Sequence, residues 1–329
     1  MEPLLDRPTT SHTLSRVADS LLWMARYLER AEHTARLLDL NLHALLDQSA
    51  ARASGRWMRV LHSLSFTDAR IAEQPLRDWG TALAFDPDLP DSIPACIAAA
   101  RTNAREVREQ ISTEMWNQLN HVYLQVGQIT TTDHSDIDTH DYLHAVKNGI
   151  HLFRGIAAST VSHDERWQFM RLGHFLERIS LKAQLLAIHT QSLGLEHDPA
   201  DTEYYLEWVS VLKSCTAFEP FCRQYSAQVD PKQAVEFLLL SPVFPHALRF
   251  SASRAREAVH RLSNVIPALR NSDAQRLAGR LVARLSYDNL DDVLEADLPG
   301  YLRDIQAQCA AISAAVYRTS INYTIVQRL

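Results

Sequence analysis

An all-α fold is predicted for this chain of 329 residues by three observations. Glycine is scarce, at 9 residues, under half the share of about 7% usual in proteins. Ala, Leu, Arg and Glu, which form helices well, dominate, and no runs of alternating β-branched residues occur. The apolar residues recur instead in steps of three and four, the period of a helix with one buried stripe. With 46% hydrophobic residues, the chain can build one large core or two smaller ones.

The elements follow in order. Residues 1–13 ("MEPLLDRPTTSHT") lack an apolar signal-peptide segment and read as a short disordered lead-in. A long helix is predicted over Leu14–Asp47 from the stripe Leu14, Val17, Leu21, Met24, Leu28, Ala31, Ala35, Leu38, Leu42 and Leu45. Its length marks it as a central spine. A second helix is predicted over 56–73, and "FDPDLPDSIP" (85–94) must interrupt the chain because proline cannot continue a helix. Helices are then expected over 92–111, over 112–126 as a continuation or restart, and over 141–161. The polar stretch "TTTDHSDIDTHD" (130–141) is expected to be a loop that ends in a helix start.

The chain resembles itself. Glu29-Arg30 matches Glu177-Arg178, and both are followed by Leu-Leu, at Leu37-Leu38 and Leu185-Leu186. "RWMRVLHS" (56–63) matches "EWVSVLKS" (207–214), and "FDPDLPDSI" (85–93) matches "LSPVFPHAL" (240–248). "NAREV" (103–107) matches "RAREA" (254–258), and "DYLHAV" (141–146) loosely matches "GYLRDI" (300–305). Five collinear matches predict a tandem duplication, with a first repeat over 14–161 and a second over 162–329. "VSHDER" (161–166) at the join is too short for a flexible tether, so two pseudo-symmetric halves are expected to pack as one helical-bundle body.

Charges sit inside these packing helices. At 100° per residue, Glu32 and Asp39 fall within the apolar arc of the first helix, with Glu29 and Arg36 at its edge. A buried carboxylate costs several kcal/mol unless it is paired. Glu32 and Arg36 form a favourable i,i+4 pair. Adjacent Glu29 and Arg30 point about 100° apart, so each is expected to serve a different neighbouring helix or a cleft. The residue four before each motif glutamate is small, Ala25 and Gly173, which permits close approach of a helix or ligand. The other duplicated charges, Arg105-Glu106 and Arg256-Glu257, suggest the pairs Glu29–Arg105 and Glu177–Arg256, since arginine offers a carboxylate a planar bidentate fork. Three readings stay open. The pairs are register-fixing salt bridges, or Arg30, Arg105, Arg108 and their counterparts line a cleft for an anionic ligand, or Glu29 and Glu177 are acid/base catalysts.

Other chemistry is poorly represented. The order of residues in "ERAEH" and "HFLE" is not the Glu-x-x-His of carboxylate-bridged metal sites, and no P-loop, G-x-G-x-x-G, G-x-S-x-G or H-E-x-x-H occurs. No metal or cofactor is therefore expected. His134, His140, His144 and His151 read as solvated loop and helix-face residues. The net charge of −6 without basic blocks points away from nucleic acid, and no apolar run is long enough for a membrane span. Four scattered cysteines read as reduced thiols in the cytoplasm.

"LSRVADSLLWMARYLERAEHTARLLDL" (14–40), "NAREVREQISTEMWNQLN" (103–120), "RLGHFLERISLKAQLL" (171–186), "EFLLLSPVFPHALRFSASRAREAV" (236–259) and "GRLVARL" (279–285) together resemble the bacterial alpha-E family. The resemblance spans about residue 13 to the end. It implies an all-helical domain with a recurrent Glu-Arg motif, usually duplicated. It also implies association with circularly permuted ATP-grasp ligases and transglutaminase-like peptidases, in bacterial systems that make or modify peptides through ATP-dependent amide bonds. The motif falls on Glu29-Arg30 and Glu177-Arg178. The second copy departs from the first, with His174 where the first has Arg26 and Ser180 where it has Glu32. A non-catalytic binding or accessory protein, docking a peptide, a carboxylate ligand or the ligase, is the leading expectation. An enzyme using Glu29 and Glu177 is the alternative. Arg26, Glu29, Arg30, Glu32, Arg105, Glu106, Arg108, Glu177, Arg178, Arg256 and Glu257 are the candidate site or ion-pair residues.

Overall fold

A computed structural model of the chain describes residues 15–45, 50–73, 75–76, 78–130, 138–195, 202–295 and 297–321. The predicted lead-in and most of the predicted loop at 130–141, with His134, lie outside them. All regular elements among the described residues are helical. They are α1 (Ser15–Leu45), α2 (Ala50–Ser63), α3 (Asp68–Ile71), α4 (Asp78–Phe85), α5 (Ile93–Glu106), α6 (Thr113–Thr130), α7 (Thr139–Thr160), α8 (Glu165–Leu193), α9 (Thr202–Ser214), α10 (Phe218–Gln224), α11 (Pro231–Leu240), α12 (Leu248–Val265), α13 (Asp273–Tyr287), α14 (Leu290–Glu295) and α15 (Leu298–Val316).

Local chemistry sets the boundaries. The helix expected over 56–73 starts earlier and breaks after Ser63, because Ser65 turns left-handed (φ 67°) and Phe66 N–H closes back on Leu61 C=O. The same closure ends α9: Thr216 has φ 51° and Ala217 N–H bonds Leu212 C=O. The proline-rich break is present, with Ser92 capping α5 through Ala95 N–H and Pro94 in its first turn. The helix expected over 92–111 stops at Glu106, and Ser112 restarts the chain as α6 by accepting from Met115 N–H. Asp138 caps α7 and Asp164 caps α8. The short helix α4 was not expected from the sequence pattern.

The two longest helices, α1 and α8, are the spine. α1 is buried on nearly every side, through Leu21, Met24, Leu28, Ala31, Ala35 and Leu38 and through Glu29, Glu32, His33 and Thr34. Contacts between α1 and α8 pair Leu22 with Gly173, Arg26 with Glu177, Glu29 with Arg178 and His33 with Lys182. Both members of each pair advance together, so the helices run parallel, with partners 149 to 151 residues apart. α5 and α7 lie along α1, α12 and α15 lie along α8, and α6 backs α7 while α13 backs α12 and α15. One apolar core runs through the assembly, from Ala18 to Val316.

Close approach of the spine depends on Gly173. A Cβ there would lie 2.2 Å from Leu22 C=O, a backbone atom that cannot turn aside. The small residue before the second motif thus admits another helix. Gly173→Ala is expected to cost about 2–3 kcal/mol by overpacking. Gly155→Ala, whose Cβ would meet nothing within 4 Å, should be neutral or gain up to about 1 kcal/mol of helix propensity. Urea unfolding of both variants checks this, and equal effects would refute the packing assignment.

Candidate functional site

The parallel spine brings the two Glu-Arg motifs against each other, and they exchange partners. Arg178 on α8 donates from Nε to Glu29 Oε1 at 2.7 Å and from Nη2 to Oε2 at 3.1 Å. Arg30 on α1 donates from Nε (2.9 Å) and Nη2 (2.7 Å) to Glu177 Oε1. The acid of each helix is therefore clamped by the arginine of the other. Arg26 Nε adds a bond to Glu177 Oε2 at 2.7 Å, and His174 Nδ1 lies 2.9 Å from Glu29 Oε2. Arg26 and His174 occupy matched positions of the two motifs, so the departure noted in the second copy keeps the contact and drops the charge. Arg154 of α7 supplies charge on that side, donating to Glu29 Oε2 at 2.6 Å and also bonding Glu32.

These partners correct the expectation of separate neighbours. Glu29 and Arg30 do diverge around α1, but their side chains are long and α8 passes close, so both reach α8. The pairs Glu29–Arg105 and Glu177–Arg256 do not form. Arg105, Glu106 and Arg256 are exposed on the outer faces of α5 and α12. Glu106 accepts from Ser20, and Glu257 accepts from Arg171, Arg254 and Arg261. Arg108 donates to Thr113 and sits over the Trp116 ring. The expected Glu32–Arg36 pair is present at 2.5 Å.

Several members have no charged counterpart at the matched position and escaped the sequence reading: Arg154, Asp91, and Lys147 on Asp39 at 2.6 Å. His140 and His151, read as solvated, are half-exposed yet touch Asp39 and Glu32. Arg56 and Glu207, 2.6 Å apart, did leave a signal, since opposite charges stand at one matched position of "RWMRVLHS" and "EWVSVLKS". Lys182 is buried with His33 Nδ1 at 2.9 Å and Ser214 C=O at 3.4 Å.

The network fixes protonation. Burial opposes charge on Glu29, but Arg178, His174 and Arg154 outweigh it and hold the carboxyl well below its usual range. Arg154, His151 and Arg36 do the same for Glu32. Burial, with nearby cations, keeps His33 and His246 neutral and lowers His174 and His189 to about 4.

The two faces of the exchange differ in chemistry. Arg36, Arg154, Arg178 and Lys182 crowd Glu29 and Glu32, and an apolar pocket of about 220 Å³ lies beyond Arg154 and His174, lined by Met24, Leu28, Trp167 and Phe175. Around Glu177 a polar cleft of about 230 Å³ remains, bordered by Arg26, Arg30, Thr34, Ser180, Gln184 and Gln306. Arg30 Nη1 turns into it and meets Asp91 Oδ1 at 2.5 Å; the Asp91 side chain is 46% exposed, on a loop, with φ 67°. Thr34 borders the cleft, and its Oγ1 is buried without a hydrogen-bond partner. Gln306 Nε2 donates to Ser180 C=O and Gln184 Oε1, which fixes the amide wall.

Residues 13–319 match a family described as a predicted alpha-helical domain with a conserved ER motif. The chain belongs to the Alpha-E family. It is also similar to the uncharacterized proteins Mb2597 of Mycobacterium bovis and Rv2567 of Mycobacterium tuberculosis, each 24% identical over 323 residues and 92% of this chain. The chain spans 35% of the length of these relatives. No solved structure matches it. No helix among the described residues is long and apolar enough to cross a membrane.

In this Alpha-E chain, Glu29→Gln should cost about 3–5 kcal/mol, because it leaves the buried Arg178 guanidinium without its carboxylate. Glu257→Gln, at the surface, should cost less than about 1 kcal/mol. Denaturant titration separates the two, and comparable losses would refute the buried-exchange assignment. Acid should also destabilise the fold. His174 and His189 titrate near 4 when folded and near 6.5 when unfolded. Their neutral forms stabilise the fold fully above pH about 6.5, and that contribution is lost as pH falls toward 4, by up to about 1.4 kcal/mol per unit for each histidine. Glu29 and Glu32 add to the loss below about 4.5. Unfolding free energies measured from pH 7.5 to 4.5 test the sign, and stability that rises on acidification would contradict it.

Proposed function

We propose that this Alpha-E chain is a non-catalytic binding component of a bacterial system that makes or modifies peptides through ATP-dependent amide bonds. It holds a peptide carboxylate in the cleft beside Arg26 and Arg30 and presents it to a circularly permuted ATP-grasp ligase, with a transglutaminase-like peptidase as a further partner. One observation carries the reading: the motif carboxylates are saturated by arginine, whereas one edge of Arg30 opens to a solvent cleft and is occupied only by the half-exposed Asp91. Asp91 is an internal carboxylate on a surface loop, and a ligand carboxylate can take its place on the guanidinium with the same charge-assisted geometry.

The acid/base alternative draws less support. A general acid needs a proton near neutral pH, and Glu29 is held ionised, while both oxygens of Glu177 are taken by Arg26 and Arg30. A general base needs reach to substrate, and Glu29 is 2% exposed beneath Arg154, Arg178 and His174.

Calorimetry with N-acetyl-alanylalanine tests the site. Binding is expected, and Asp91→Asn should tighten it by about 5–10-fold, the worth of one competing hydrogen-bonded contact. Co-purification with an ATP-grasp ligase encoded alongside tests the setting. Failure to bind both the peptide and the ligase refutes the proposal.

A further inference from the structure

The offsets that relate the sequence repeats also relate the cleft to the filled side of the network. At matched positions, Thr34 corresponds to Lys182, Leu181 to His33, Ser180 to Glu32 and Gln184 to Arg36. On the flanking helices, Gln306 corresponds to Lys147 and Ser313 to Arg154, and α7 and α15 begin at matched positions, Thr139 and Leu298. The correspondence is structural as well. Ser65, on the cleft, and Thr216 close α2 and α9 with the same hydrogen bonds and the same left-handed turn. Arg26 Nη1 bonds Ser313 Oγ on one side while Arg154 stands beside His174 on the other.

At these six positions the cleft side carries a smaller or neutral side chain in place of a long charged or aromatic one, while Arg26 and Asp91 stand there against His174 and His246. Lys182 Nζ, at the buried end of the filled side, rests on His33 and Ser214 C=O. At its matched position stands Thr34, with an unpartnered buried hydroxyl. Glu32, whose carboxylate is held by Arg36, His151 and Arg154, is replaced by Ser180, whose hydroxyl turns back to Leu176 C=O. The cavity of about 230 Å³ is bordered by Thr34, Ser180, Leu181, Gln184 and Gln306, which hold the matched positions of these side chains.

We infer that the cleft is a vacated copy of the filled cluster and takes a small zwitterion, an amino acid or dipeptide, whose amino group stands at Thr34 and whose carboxylate stands along Ser180, Gln184 and Arg30. This rests on the binding reading above and narrows its ligand class. The filled side holds one amine and one carboxylate covalently, as Lys182 and Glu32, and the ligand supplies the same two groups from solution. The motif charges facing the cleft balance, Arg26 and Arg30 against Glu177 and Asp91, so a ligand of zero net charge is matched electrostatically.

Calorimetry on the full chain with three probes tests the inference. Alanylalanine carries both groups, N-acetyl-alanylalanine only the carboxylate, and alanylalanine amide only the amine. The free dipeptide is expected to bind at least 10-fold more tightly than either blocked form. Equal binding of the acetylated probe overturns the zwitterion and leaves the carboxylate reading standing. Equal binding of the amide overturns both, as does no binding of any probe at 20 mM. Thr34→Lys with Ser180→Glu restores the missing groups in place. This double variant should abolish dipeptide binding and raise the melting temperature, and unchanged binding in the folded variant overturns the inference. Ser180→Glu alone, expected to weaken the free dipeptide at least 5-fold, repeats the check with a smaller change to the core.

Discussion

Everything in this structure is arranged around two parallel helices that each supply what the other lacks. Parallel helices in contact align their macrodipoles side by side, an unfavourable arrangement, and the close contact of Leu22 with Gly173 leaves no water between them. The exchange of Glu29 with Arg178 and of Glu177 with Arg30 sets attractive pairs across that seam. Because both glutamates are buried and a buried carboxylate must keep its cationic partners, the exchange also fixes the register. A slide of one turn would leave two carboxylates and two guanidiniums stranded in the core. The contact of Gly173 with Leu22 and the charge exchange select the same register.

Much of the fold was legible because helices have a strong period. The stripe from Val17 to Leu45 locates α1, and the prolines of "FDPDLPDSIP" locate the interruption before α5. Short elements carry less signal. α4 is eight residues long, and the break after Ser63 depends on a left-handed residue that is not glycine, which leaves no mark in composition. The Glu-Arg motifs stood out through repetition, while their partners did not. Pairing Glu29 with Arg105 assumed that acids and bases of one half satisfy each other, and nothing in the sequence reports that α8 runs parallel to α1 at a contact distance. Arg154 was hidden for another reason: its matched residue, Ser313, is neutral, so no duplicated charge flagged it.

Difference between the faces is as informative as likeness. The Glu29 face carries charged side chains that neutralise one another, and burial holds its His33 and His174 neutral. The Glu177 face keeps the clamp but carries amides and hydroxyls beyond it. A network with both faces filled would be a scaffold alone, and one with both faces open would leave the acids partly solvated and the seam weak. The same exchange anchors a face of charged side chains and borders a cleft of amides and hydroxyls. Asp91 belongs to the second, since its loop carboxylate covers Arg30 while remaining half in water.

The exchange also has a consequence in time. Partners lie about 150 residues apart along the chain, and ribosomes add roughly 5–20 residues per second. The first long helix therefore emerges some 8–30 seconds before the helix that satisfies it. Until α5 and α7 emerge within that interval, the apolar stripe beside them has no cover, and Glu29 and Glu32 have only water and Arg36 as partners. The early chain is thus held solvated by the acids that later bury themselves, so the residues that lock the finished spine also delay its premature collapse.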